Sequence, residues 1–172
     1  RKDNYETVQV YKRDSISGTK PMTPRERFLN ALGGEAVQPP PVICPGGMMT
    51  LATTSAMART RRAWPQAHSD AEAMAELILA TREESGFECL AAPFCMTVEA
   101  EAFGCRVDLG TPEVLPCVLA ERVVSADDIE SLPEFNPEGA PRVKTVLEAL
   151  RRLKAASGSY PVIGALVGPV TL

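Results

Sequence analysis

The chain has 172 residues, 45% of them apolar and 23% charged, with a formal net charge of -4. That length and composition suit one globular domain or a large piece of one. No run of basic residues offers the face that a nucleic-acid or anionic-membrane binder needs, so small molecules or other proteins are the expected partners.

Residues 1–21 are polar and aperiodic and read as a flexible leader ahead of a folded segment, 22–172. No charged-then-apolar signal opens the chain, and the longest apolar run, VIGALVGPVTL, is too short to cross a bilayer. A cytoplasmic protein with no membrane partner is expected.

In MTPRERFLNALGG, Thr23 stands as N-cap, Pro24 at the first helical position and Glu26 three residues after the cap, with Gly33 and Gly34 as the stop. A short helix is predicted, with Phe28, Leu29 and Leu32 as its apolar stripe. PVICPGG then reads as a first buried strand, Val42 to Cys44, opening into the loop MMTLATTSAMARTRRAWPQ, which has no clear period. Ser69 and Glu72 suggest a second capping box, followed by Met74, Leu77, Ile78 and Thr81 at helical spacing as far as Gly86. FECLAAP is the second predicted strand.

CRVDLGTPEVLPCVLAERVV is broken by Gly110, Pro112 and Pro116 and reads as an irregular extension or hairpin. SADDIESLP suits one or two helical turns. A strong helix is predicted from Pro141 to about Ala156, with Val143, Val146, Leu147, Leu150 and Leu153 on one face and Gly158 as its stop. YPVIGALVGPVTL is the third predicted strand, aliphatic enough to be buried on both faces.

Strands alternating with amphipathic helices imply an α/β fold with a parallel sheet. Three strands cannot close, so the expected architecture is the amino-terminal part, about three βα units, of an eight-stranded (β/α)8 TIM-type barrel, ending after strand three. An open doubly wound sheet competes, but no Gly-rich phosphate loop follows any strand.

The stretch PFCMTVEAEAFGC begins where the second strand ends, on what would be the catalytic face of a barrel. Thr97 can cap the helix that follows. Glu99 and Glu101 are two apart, so a helix turns them to different sides and a convergent acid–base pair is ruled out. Glu99 is the choice for a hydrogen-bonding role. Soft side chains gather at two strand ends, Cys44, Met48 and Met49 after the first and Phe94, Cys95 and Met96 after the second, as in a largely apolar small-molecule pocket. The candidate substrate-binding set is thus Cys44, Met48, Met49, Phe94, Cys95, Met96, Thr97 and Glu99, with no catalytic residue assigned.

Five cysteines and one histidine, with no C-x-x-C pair, support neither a disulfide framework nor a zinc knuckle. His68, just before Ser69, is expected at the surface or packed against the cap. Trp64 either walls the pocket or pins the loop.

TPRERFLNAL, PVICPGGMM, WPQAHSD, GFECLAAPFCMTVEAEAFG and YPVIGALVGPVTL, in that order, resemble the uroporphyrinogen decarboxylase superfamily, specifically its corrinoid-dependent branch, the methylcobalamin:coenzyme M methyltransferases. The likeness runs from Met22 to Leu172 and matches about the first half of a member. It implies a β/α barrel in which zinc, held by a histidine and cysteines of the second half, activates a small thiol such as coenzyme M to take a methyl group from methylcobalamin on a corrinoid protein. No residue here inherits a metal-ligand role, and this segment alone is expected to be inactive. Porphyrinogen decarboxylation is the alternative. The resemblance disfavours it, because GGMMTLA stands where decarboxylases carry an arginine-rich stretch and Met96 where they carry an aspartate. A non-catalytic half-barrel, with unpaired sheet edges open to self-association or a partner, is the other reading.

Overall fold

Thr23 and Glu26 set the start of the first helix, α1 (Pro24–Leu32), through a reciprocal capping box: the Glu26 amide donates to the Thr23 hydroxyl while the Thr23 amide donates to the Glu26 carboxylate at 2.7 Å. The computed structural model describes residues 21–44, 52–120, 123, 125–132 and 134–168. The expected leader lies outside them, apart from its last residue.

The predicted stripe of α1 does not reach the core. Leu29 and Leu32 are exposed, and the residue α1 buries is Arg27, which donates to the Met22 carbonyl at 2.9 Å and pairs with Glu88. Arg25 donates to the Ser157 hydroxyl at 3.0 Å and to the Tyr160 carbonyl at 2.9 Å. The helix is therefore held by two arginines clamping it to the ends of other elements.

Residues 41–44 form no strand ladder, contrary to expectation. One backbone bond, from the Glu88 amide to the Val42 carbonyl, and one from the Val42 amide to the Glu88 carboxylate hold the segment alongside the chain entering the sheet. Val42 is exposed, so nothing apolar draws it into a buried ladder. The loop left open contains α2 (Thr54–Thr60), capped by the Thr53 hydroxyl, and a 3-10 turn at Gln66–His68.

Helix α3 (Ala71–Ser85) carries the core. Met74, Leu77, Ile78 and Thr81 are buried as the spacing predicted, and Gly86 ends the helix in the left-handed region at φ 72°. The cap is Asp70, one residue beyond the predicted Ser69: its carboxylate accepts from the amides of Glu72 and Ala73, both at 3.0 Å. A charged acceptor suits the helix amino terminus better than a hydroxyl.

The second predicted strand is β1 (Leu90–Ala92), every residue buried. Helix α4 (Val98–Ala102) follows, then β2 (Arg106–Asp108) and β3 (Cys117–Ala120), which pair antiparallel as an exposed hairpin with a register shift at Arg106/Val107. A six-residue 3-10 helix spans Ala126–Ser131. Helix α5 (Pro141–Ala156) packs on α3 and β1, burying Val146, Ala149 and Leu153, while Leu147 is exposed.

The last strand, β4 (Val162–Gly164), lies parallel to β1 with Leu90 opposite Val162 and Ala92 opposite Gly164. Parallel pairing across an intervening helix is the βαβ unit the sequence predicted. Two points differ from expectation. The strand is three residues long and only half buried, and Leu166 beyond it is 80% exposed: among the described residues β4 is an edge strand paired with β1 alone, and parallel strands become fully buried only when both faces are covered. The described residues thus form a mixed α/β fold with a two-stranded parallel sheet; a closed barrel is not seen among them.

Candidate functional site at the end of β1

Strand β1 ends at Ala92, and Pro93 to Thr97 lead from its carboxyl end into α4, whose first turn carries Glu99. The Ala92 carbonyl accepts from the Ala165 amide at 2.8 Å, which extends the pairing of β1 with the chain just past β4. Residues of the two strand exits are thereby brought together.

Phe94 is 1% exposed and packs within an aromatic cluster. Its ring centroid lies 5.6 Å from Trp64 and 5.9 Å from His68, the latter edge-on, and Trp64 and His68 are 5.1 Å apart. These contacts suit aromatic quadrupoles and make Phe94 core rather than an open wall. His68, expected at the surface or packed against the cap, is instead buried in the aromatic cluster at 1% exposure, with neither ring nitrogen bonded among the described residues. Burial, and secondarily the charge of Arg142, pushes its pKa down to about 4, so the ring is neutral near pH 7. The Trp64 indole N–H is likewise buried without a partner among the described residues.

Cys95 and Thr97 turn toward α5. Arg142, in the first turn of that helix, donates to the Cys95 sulfur at 2.9 Å, to the Thr97 hydroxyl at 3.1 Å and to the Glu101 carboxylate at 3.2 Å. Thr97 occupies the cap position of α4 as predicted, but its hydroxyl caps nothing because the guanidinium has claimed it. Cys95 lies 3.4 Å from the same hydroxyl.

Met96 and Glu99 are half-buried and are the members of this stretch, up to Glu99, that reach solvent. Glu99 accepts from the Val167 amide at 3.4 Å through Oε1, so it bridges the exits of β1 and β4, while its Oε2 is buried with no partner among the described residues. Glu101, two residues on, turns instead to Arg142, as helical geometry requires.

Cys44 is placed apart from this group. It is buried with Ala91 against Phe87 and Ile163, and the Cys89 thiol donates to its carbonyl at 3.0 Å while its amide lies 3.3 Å from the Cys89 sulfur. Cys89 precedes β1, so Cys44 sits at the entry of the strand and Phe94 to Glu99 at its exit. Burial raises the Cys89 pKa. Met48 and Met49 lie outside the described residues.

Sequence reasoning missed Arg142, although a signal existed. Arg142 lies four residues before Val146 and seven before Ala149, on the buried stripe of α5, where an arginine demands buried acceptors. A groove of about 800 Å³ runs along α5 and β4, floored by Leu147, Leu150 and Val162 and edged by Arg25, Arg151 and Lys154. It contains none of the predicted site residues.

Among the described residues, no three His, Cys, Asp or Glu side chains are gathered where they could hold a metal ion. The histidine is enclosed by aromatic rings and the Cys44–Cys89 pair lies at the far end of β1. This donor set does not fit zinc. No helix among the described residues is long and apolar enough to cross a membrane.

The family model described as uroporphyrinogen decarboxylase (URO-D) matches residues 23–172. Methylcobamide:CoM methyltransferase MtbA of Methanosarcina acetivorans is 38% identical over 152 residues, covering 87% of this chain and 43% of that protein. Methylcobamide:CoM methyltransferase MtaA of Methanosarcina barkeri is 36% identical over 153 residues, with the same coverage. A solved structure described as a methyltransferase from Methanosarcina mazei superposes with a TM-score of 0.70 at 32% identity, covering 88% of this chain and 44% of that one. The chain spans less than half the length of these relatives.

Proposed function

The chain belongs to the uroporphyrinogen decarboxylase family, and from that premise we propose that it forms the amino-terminal part of a corrinoid-dependent methyltransferase barrel, with Met96 and Glu99 on a wall of the site where a methylcobamide meets a small thiol such as coenzyme M. The observation that carries this reading is Met96. A thioether stands, half-buried, at the exit of a parallel strand whose neighbours Phe94, Cys95 and Thr97 are buried.

In methyl transfer the thiolate lone pair forms the new S–C bond while the Co–C bond breaks and leaves its electron pair on cobalt. The methyl group moves without the Co–C electron pair, is apolar and has no oxygen or nitrogen to protonate. It needs a dry, soft surface beside it rather than an acid, and water exclusion strengthens attack by a sulfur anion. Met96 supplies such a surface. Two residues earlier in the chain, Phe94 is packed with Trp64 and His68 in the core. The Glu99 carboxylate, with one oxygen held by the Val167 amide and the other buried without a partner among the described residues, ties the exits of the two parallel strands together beside that surface.

Zinc is implied by the family resemblance, but the described residues do not fit it. A corrinoid-carrying protein is the proposed macromolecular partner. The test is an assay of the intact polypeptide with methylcobalamin and coenzyme M, followed by visible absorbance. Thiol-dependent loss of the methylcobalamin spectrum supports the reading, and an unchanged spectrum with active decarboxylation of a porphyrinogen contradicts it.

A further inference from the structure

We infer that Arg142 is the positioning residue of this site: one guanidinium, reaching across from α5, holds the Cys95 sulfur, the Thr97 hydroxyl and the Glu101 carboxylate, and so sets the path of the loop that leaves Met96 and Glu99 open to solvent. The inference rests on the proposed methyl-transfer site only for the chemistry that the loop serves.

Burying a guanidinium is strongly unfavourable unless its donors are used. The first turn of a helix makes the cost larger, because the macrodipole there repels a cation. Arg142 is only 5% exposed in that position. What it gains is concentrated on the loop: Nη2 serves Cys95, and Nη1 serves Thr97 and Glu101. Glu101 is 40% exposed at its side chain, so it neutralises the cation weakly, and the buried bonds are those to Cys95 and Thr97. Nε has no partner among the described residues, so the two terminal nitrogens carry the whole contact. A fork is what the geometry uses. A lysine in its place would bring one point donor to a sulfur and a hydroxyl that need two. A small cavity of about 90 Å³, lined by Val98, Gly139 and Pro141, lies beside Arg142 between α4 and the start of α5.

The test uses the cysteines of the chain as reporters. Alkylation of each thiol by iodoacetamide is timed by peptide mass spectrometry in the wild type, Arg142→Gln and Glu101→Gln. Cys89, 1% exposed at the other end of β1, reports loosening of the fold at large, and Cys117 on the exposed hairpin reports the unhindered rate. Losing the fork is expected to open the loop and speed Cys95 by about tenfold in Arg142→Gln and about twofold in Glu101→Gln, with Cys89 unchanged. Cys95 as slow as in the wild type in both variants, or Cys89 accelerating in step with it in both, overturns the assignment. Labelling needs neither cobamide nor thiol substrate. A failed labelling result therefore leaves the proposed methyl transfer standing, and an absent methyl transfer leaves the labelling pattern standing.

Discussion

Arg142 donates to the sulfur of Cys95 at 2.9 Å, across 47 positions of sequence. The contact joins the start of α5 to the exit of β1 and makes the two elements one mechanical unit. Replacing Arg142 by methionine keeps the bulk and removes the donors. Three acceptors then lose their partner, but Glu101 regains water, so the expected loss is about 2 kcal/mol rather than the larger penalty of a stranded buried charge. Urea unfolding at pH 7 checks the value; a change under about 0.5 kcal/mol would mean that the bonds contribute no net stability.

His68 gives a pH signature with a definite sign. Its folded pKa, about 4, lies below the ordinary 6.5, so the folded state binds fewer protons than the unfolded chain between these values. The stability this supplies is complete above pH 6.5 and is lost as pH falls toward 4, by about 3 kcal/mol in all. Because the chain has one histidine, its imidazole resonances are assigned without mutants, and NMR should show no titration between pH 8 and 5. His68→Leu should remove most of the corresponding slope in stability, and Arg142→Gln should move the titration upward.

The cap of α3 separates two adjacent residues. Asp70→Ala removes the acceptor of two amides and should cost about 1 kcal/mol, whereas Ser69→Ala should stay within about 0.5 kcal/mol. Paired thermal melts decide it, and the reverse order would return the cap to Ser69.

Gly110 closes the β2–β3 hairpin at φ +76°, and a Cβ there would lie 2.0 Å from the Val114 carbonyl oxygen. Gly110→Ala must therefore break the Thr111–Val114 bridge, at a cost of more than about 1 kcal/mol confined to the hairpin. Hydrogen exchange should rise at 106–120 and stay unchanged in α3. Equal loosening in both would show the hairpin to be part of the core.

The sequence was most readable where one residue's neighbours in the chain decide its structure. The Thr23–Glu26 box, the buried face of α3 and the stripe of α5 apart from the exposed Leu147 follow from local spacing, and β1 was evident from its apolar run. Tertiary partners decided the rest. Val42 to Cys44 has strand composition but meets only one ladder bond, and Thr97 has a capping hydroxyl that Arg142 draws away. His68 sits beside a cap in sequence yet is drawn under Trp64 and Phe94. Of the predicted site residues, Met96 and Glu99 stand at the solvent side of the strand exits, Phe94 belongs to the core, Cys95 and Thr97 answer to α5, and Cys44 lies at the opposite end of β1. The separation was not legible because Cys44 ends a strand-like segment whose placement against β1 only the fold sets.

The most direct measurement is the rate at which methylcobalamin absorbance falls with coenzyme M in the intact polypeptide, compared between wild type and Met96→Asp. A soft wall for methyl transfer predicts thiol-dependent loss in the wild type and a rate at least about tenfold lower in the variant, since a carboxylate there brings water and charge beside the reacting sulfur. Equal rates would contradict the placement of Met96 at the transferring group, and an inactive wild type that decarboxylates a porphyrinogen would contradict the function itself.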